Sequence, residues 1–285
     1  MSTVTSFLAS ISEAKRAEMA VVSAAERAAV RQAGLRRRAA LRPHVFRQAL
    51  SNPAQVNIIA EVKRSSPTAG AIRPGADPVA TASVYAANGA AAISVLTEPK
   101  YFSGSLDDLR AVCARLSPAP ADANAASSLG PGCPVLRKDF IVDSHQIYEA
   151  AAAGAEAVLL IVASLAPSEL VALRTLAEDE LGLDALVEVH AEPEMRIAIE
   201  CGAAIIGVNN RNLATLEVSL DTSRALARYV QPGRLLVSES GLRTPAHVRE
   251  LRALGYGSFL IGETLMRSDD PAGELTRFIT EAGRG

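Results

Sequence analysis

Eight short apolar, β-branched runs recur over residues 56–263, each followed by a helical pattern, and their starts lie about 29 residues apart on average. Together they predict an α/β fold, a (β/α)8 TIM barrel with an N-terminal helical extension. Such spacing fits one strand and one crossover helix per unit and is too long for hairpins. A doubly wound open sheet is the alternative arrangement. It calls for a glycine-rich phosphate loop after its first strand, and VNIIAEVKRSSPTAG (56–70) contains no GxGxxG.

Residues 1–55 precede the first strand. Within them SISEAKRAEMAVVSAAERAAVRQ (10–32) carries apolar residues at helical spacing, which predicts one added helix or a pair. The basic run LRRRAALRP (35–43) reads as a solvated helix face or a cover over the barrel, a partner- or phosphate-attracting patch being the rarer alternative. The strand runs are VNIIAEVK (56–63), AAAISVLTE (90–98), CPVLRKDF (133–140), AEAVLLIVA (155–163), LDALVEVH (183–190), AAIIGVNN (203–210), RLLVSES (234–240) and YGSFLIGE (256–263). Helical segments follow at 77–89, 105–116, 143–154, 166–182, 191–202, 219–230, 244–255 and 269–279. Asp143, Ser219 and Thr244 are the expected N-caps, Pro78, Pro167 and Pro245 suit first turns, and Gly89, Gly154, Gly202 and Gly255 close helices. The Pro-, Ala- and Ser-rich stretch at 117–132 has no periodicity and is expected to be a flexible connection before the third strand. The expectation is a single domain, 1–285, with 1–55 as the helical extension and 56–285 as the barrel.

Composition narrows the function. Lys plus Arg number 29 against 31 Asp plus Glu, a net charge of −2, so no basic excess favours nucleic acid. No apolar run reaches the roughly 18 residues of a membrane span. The longest, AEAVLLIVASLAP (155–167), is bounded by Glu156 and Pro167, and the expectation is a soluble protein with no membrane partner. The N-terminus lacks the basic start and apolar centre of a secretion signal. Three cysteines without CxxC spacing fit neither a disulfide framework nor a zinc site, which points to a reducing, cytoplasmic location. Aromatic residues make up 4% and Trp is absent, so the core must come from Ala, Val, Leu and Ile.

Charged residues at the ends of barrel strands need a reason, because such strands are buried on both faces. Strand one ends in Glu61 and Lys63, strand three in Arg137, Lys138 and Asp139, strand five in Glu188 and His190, strand six in Asn209, Asn210 and Arg211, and strand seven in Ser238, Glu239 and Ser240. Residues two apart share a face, so Glu61 and Lys63 point together. Any single one of these reads more simply as an ion pair plugging the barrel's wide end. Their convergence on one mouth instead suggests a cavity in which neighbouring charge tunes proton transfer. Gly241 and Gly262, beside Ser240 after strands seven and eight, fall where barrels commonly hold a phosphate.

The combined motifs resemble the indole-3-glycerol-phosphate synthase family of tryptophan biosynthesis. The resemblance spans 56–279 and is carried by IIAEVKRSSPTAG (58–70), SVLTEPKYFSGS (94–105), PVLRKDFIVDSHQIYEA (134–150), LVEVH (186–190), IGVNNRNL (206–213), SESG (238–241) and LIGETLM (260–266). It implies conversion of 1-(2-carboxyphenylamino)-1-deoxyribulose 5-phosphate into indole-3-glycerol phosphate with loss of carbon dioxide and water, and no metal or organic cofactor. It also implies roles. Lys138 would be the general acid at the substrate ketone, and Glu188 a base or stabiliser of the cationic intermediate. Glu61 and Lys63 would serve decarboxylation and dehydration. Ser66, Asn209 and Arg211 would place the carboxylate and sugar hydroxyls, Phe102 and Phe140 would pack the ring, and Ser240, Gly241, Gly262 and Glu263 would surround the phosphate. The extension 1–55 would help cover the substrate.

Two departures stand out. Thr68-Ala69 replaces a common Ser-Lys, which removes a charged contact, and Gly262-Glu263 replaces Gly-Ser, which leaves backbone N–H groups to hold the phosphate. The family's barrels occur singly, in fusions and as oligomers, so the expectation for this chain is a monomer or a weak homo-oligomer, and contact with other tryptophan-pathway enzymes stays open. Another phosphate-binding barrel, such as phosphoribosylanthranilate isomerase or the tryptophan synthase α subunit, would not explain Glu61 and Lys63 together with residues 137–140. A non-catalytic barrel binding a phosphorylated metabolite would keep the phosphate loops and lose the acid and base residues, all of which are present here.

Overall fold

Alternation along each strand decides which residues face the barrel interior and which face the helices. The computed structural model describes residues 7–116, 132–212, 215–229, 231 and 233–283. Strands β1 (Asn57–Val62), β2 (Ala92–Leu96), β3 (Val135–Lys138), β4 (Ala157–Ile161), β5 (Asp184–Val189), β6 (Ile205–Asn209), β7 (Leu235–Glu239) and β8 (Ser258–Ile261) each fall inside a predicted run. They close a parallel barrel in which β8 returns to β1 with Asn57 opposite Ser258 and Ala60 opposite Ile261. Ile59, Leu136, Leu159, Leu186, Ile205, Val237 and Leu260 fill the interior. The alternate residues Ile58, Ile93, Val158, Val187, Ile206 and Phe259 pack outward under the helices.

The helices are α4 (Pro78–Ala87), α5 (Pro99–Phe102), α6 (Leu106–Leu116), α7 (Ser144–Ala153), α8 (Pro167–Thr175), α9 (Glu192–Glu200), α10 (Asp221–Leu226), α11 (Pro245–Ala253), α12 (Glu263–Arg267) and α13 (Pro271–Ala282). Asp143 and Thr244 cap α7 and α11 as expected. Ser219 stands one residue before the cap position of α10, and its Oγ accepts from Asp221 N at 3.2 Å. The cap position is Leu220, and the buried Asn210 at the end of β6 takes the helix's free amide, Oδ1 accepting from Ser223 N at 3.0 Å. The helix is correspondingly short and passes into a 3-10 turn over Ala227–Tyr229. The connection expected at 117–132 lies, but for Gly132, outside the described residues.

Among the described residues the extension contains three helices, one more than expected: α1 (Phe7–Ala20), α2 (Ala24–Arg38) and α3 (Val45–Leu50). They run from the mouth of the barrel to its floor. At the mouth, α1 is tied by Arg16 to Glu169 at 2.9 Å and by Lys15 to Asp139 at 3.8 Å. On the flank, α2 packs against α7, where a Cβ on Gly34 would press on the carbonyl of Tyr148. At the floor, Phe46 and Leu50 of α3 join the interior cluster, and Asp184 at the start of β5 accepts from Arg47 N at 2.8 Å. The basic run divides. Arg36 and Arg37 are exposed on α2, whereas Arg38 is buried and donates to the carbonyls of Leu181, Gly182 and Arg42. Among the described residues no helix is long and apolar enough to cross a membrane.

Candidate active site

The inward-facing positions change character at the C-terminal strand ends. Two residues beyond interior Ile59, Leu136, Leu186 and Val237 stand Glu61, Lys138, Glu188 and Glu239, while Asn209 follows Ile205 by way of Gly207. Period-two alternation thus brings an acid, a lysine, two further acids and an amide to one level. They line a cavity of about 600 Å³ together with Lys63, Ser66, Phe102, Phe140, Arg211, Ser240, Gly241, Gly262 and Glu263. Every predicted site residue therefore borders the same space.

Lys138 is the hub. Its Nζ lies 2.9 Å from Glu188 Oε2 and 3.2 Å from Glu239 Oε2. Burial alone would lower its pKa, but the charges of Glu188, Glu239 and Glu61 outweigh that and raise it, so the ammonium is held charged. The two carboxylates on this ammonium diverge. Glu188 is buried, which favours its protonated form, yet Lys138 and His190 more than compensate and hold it well below the usual carboxylate range. Glu239 is pushed up to about 8, by burial first and by the Glu188 charge, although Lys138 opposes both. The two carboxylates titrate as a coupled pair on one ammonium, and their surroundings favour the charge on Glu188 and the proton on Glu239.

Two glycines make room for the carboxylates. A Cβ on Gly207 would overlap Oε1 of Glu239, and one on Gly262 would overlap Oε1 of Glu61. Gly262 thus has a task beyond the phosphate contact expected of it. Lys63 Nζ approaches Glu61 Oε1 to 2.7 Å, so the acid and base of β1 form a direct ion pair.

Other predicted residues have part of their polar capacity already committed. Asn209 donates to Glu188 Oε1 at 3.1 Å and accepts from Arg211 N at 3.0 Å, so it orients two site residues rather than standing free for substrate. Ser66 Oγ accepts from Ala69 N and shapes the turn of a small hairpin over Ser65–Ser66 and Gly70–Ala71. Thr68, where a family serine was expected, accepts from Arg211 Nη1 at 3.1 Å and links that turn to the loop after β6. The rings of Phe102 and Phe140 stand 6.3 Å apart at 41°. Glu263 pairs with Arg267 at 2.9 Å, which offsets its charge beside the proposed phosphate.

Sequence reasoning assigned no role to Glu239, His190, Asn210 or Phe7. Glu239 was legible as a strand-end charge two residues beyond an interior valine. His190 backs Glu188, with Nε2 3.3 Å from Glu188 Oε1. Asn210 Nδ2 donates to Ser238 Oγ and to the carbonyls of Glu239 and Ser240, and so holds the turn after β7. In that turn Ser240 has φ 65° and Gly241 φ 79°, a left-handed pair in which the serine is strained. Phe7 of α1 lines the cavity and meets Tyr101 edge-on at 5.0 Å. No periodic signal marked it.

A family model for indole-3-glycerol phosphate synthase matches residues 8–278. The indole-3-glycerol phosphate synthase of Dehalococcoides mccartyi is 45% identical over 225 residues, 79% of this chain and 82% of its own. That of Bordetella pertussis is 45% identical over 237 residues, 82% of this chain and 84% of its own. Among solved structures, a thiamine phosphate pyrophosphorylase from Pyrococcus furiosus superposes with a TM-score of 0.57 at 14% identity, covering 82% of this chain and 98% of its own, a likeness of fold alone.

Proposed function

The chain belongs to the indole-3-glycerol phosphate synthase family, and from that premise we propose how its residues divide the work of closing the indole ring. The reaction is that of a carboxy-lyase of tryptophan biosynthesis: 1-(2-carboxyphenylamino)-1-deoxyribulose 5-phosphate yields indole-3-glycerol phosphate, carbon dioxide and water. The observation that carries the assignment of roles is the buried Lys138 ammonium held between Glu188 and Glu239 at the floor of the cavity.

Ring closure places negative charge on the substrate's ketone oxygen and positive charge in the ring beside the nitrogen. Lys138 donates its proton to that oxygen, and the ionised Glu188 stabilises the cationic ring. Loss of carbon dioxide restores aromaticity, and elimination of the new hydroxyl as water completes the indole. Glu61 and Lys63 assist these two later steps. Phe102 and Phe140 hold the aromatic ring. Arg211 and Ser66 face the carboxylate and the sugar hydroxyls, with Asn209 fixing Arg211 and Glu188 in place. Ser240, Gly241, Gly262 and Glu263 surround the phosphate, which the left-handed Ser240-Gly241 turn approaches with its backbone.

The free cysteines Cys113, Cys133 and Cys201 support a cytoplasmic location. We assign the working form as a monomer or a weak homo-oligomer. The test of the activity is direct: purified protein supplied with the carboxyphenylamino substrate should develop indole fluorescence, in a chain that has no Trp to mask it. A folded protein that forms no indole product would refute the assignment.

A further inference from the structure

We propose that His190 is a positioning residue for this reaction, an imidazolium clamped between Glu188 and Glu194 that keeps Glu188 ionised while Lys138 gives up its proton. The inference rests on the role assigned to Glu188 above.

His190 follows Glu188 by two residues at the end of β5, so both lean to the same side. Its Nε2 lies 3.3 Å from Glu188 Oε1, a charge contact without hydrogen-bond alignment. Its Nδ1 lies 3.1 Å from Glu194 Oε2 on the first turn of α9, and the same oxygen accepts from His190 N at 2.8 Å. The ring is therefore fixed from behind by α9. Each ring nitrogen faces a carboxylate, and a neutral imidazole would turn a lone pair toward one of them, so the arrangement favours a proton on both. Burial opposes that charge, but Glu188 and Glu194 outweigh it and push His190 up to about 9.

His190 stands behind Glu188 rather than in the cavity wall. Its purpose follows from what happens to Lys138. In the resting site Glu188 has two cations, Lys138 at 2.9 Å and His190 at 3.3 Å, and a neutral donor in Asn209. Once Lys138 has transferred its proton it becomes a neutral amine. Glu188 would then be a buried carboxylate opposite one amide, next to Glu239, and its own protonation would compete with its stabilising the ring cation. An imidazolium that takes no part in the transfer preserves the Glu188 charge through that step.

The test is the pH dependence of kcat in three variants beside the wild type. In His190→Gln the ring charge is lost and a polar side chain is kept. We expect kcat to fall about tenfold with KM within about twofold, and the acid limb of the profile to move up by about one pH unit, because Glu188 without its cation protonates more readily. Glu194→Gln should shift the limb in the same direction by less. If His190→Gln does not fold, Glu194→Gln decides alone. An unmoved acid limb in the folded variants overturns the proposal, including the case in which kcat and KM both worsen. Glu188→Gln separates the two levels: wild-type turnover there removes the role of Glu188 itself. Lost turnover there beside a wild-type His190→Gln removes only the positioning role.

Discussion

The carboxylate of Glu239 occupies the space that a side chain on Gly207 would need. The two residues sit on neighbouring strands, β7 and β6, and a Cβ at position 207 would overlap Oε1 of Glu239 and crowd Leu186. Gly207→Ala should push Glu239 off Lys138 and lower kcat by about tenfold or more, since displacements of about 1 Å are costly in an organised site. Gly262→Ala should act likewise through Glu61. Steady-state assays of both variants check this, and unchanged turnover would mean that the carboxylates need not stand where they do.

How much of this was legible in the sequence follows from period and length. Each barrel strand announced itself by an apolar run, and the period of two placed Glu61, Lys138 and Glu188 on the inner face. The elements that escaped are short. Helix α5 is made by Glu98 accepting from the amides of Lys100 and Tyr101, and α12 is a single turn after Gly262, too brief for any helical period. Asn210 as the cap of α10 and Phe7 as a cavity wall are contacts between distant segments, for which one sequence carries no local mark. The split of charge between Glu188 and Glu239 also depends on which of them meets His190 and Asn209. Only the folded arrangement decides that.

The protein should lose stability as pH rises through the window set by His190. Its folded value of about 9 lies above its ordinary value of 6.5, so the folded state binds the proton more tightly than the unfolded chain does. The resulting stabilisation is fully present below about pH 6.5 and is lost by about pH 9. Glu239, raised to about 8, adds a change of the same sign. Thermal unfolding followed between pH 6 and 9, two values set about this window, should show a falling midpoint, and His190→Gln should flatten the fall. A midpoint that rises across this range would contradict the assignment.

Arg38 should matter to stability and Arg36 should not. Removing the Arg38 guanidinium takes the donor from the carbonyls of Leu181 and Arg42 and leaves that of Gly182 with His44 N alone, a cost of roughly 2–3 kcal/mol. Arg36→Ala, at an exposed position, should cost less than about 0.5 kcal/mol. Urea unfolding of Arg38→Met and Arg36→Ala compares the two, and equal effects would show that the basic run acts as one surface feature.

Asn210→Ala should weaken the phosphate loop. The variant frees the carbonyl of Ser240 and the amide of Ser223 and leaves the Glu239 carbonyl and Ser238 Oγ with one partner each, so the strained turn at Ser240 loses support. We expect KM for the phosphorylated substrate to rise by about tenfold, with weaker competitive inhibition by inorganic phosphate. Normal phosphate inhibition in a folded Asn210→Ala protein would place the anion elsewhere.

The most direct measurement compares indole formation by the wild type and by Lys138→Ala, with substrate affinity determined separately by equilibrium binding. The wild type should convert the carboxyphenylamino substrate, and the variant should bind it with little loss while turning over at least about a hundredfold more slowly, as expected when a general acid is removed. Near-normal turnover by Lys138→Ala would contradict the account at its centre.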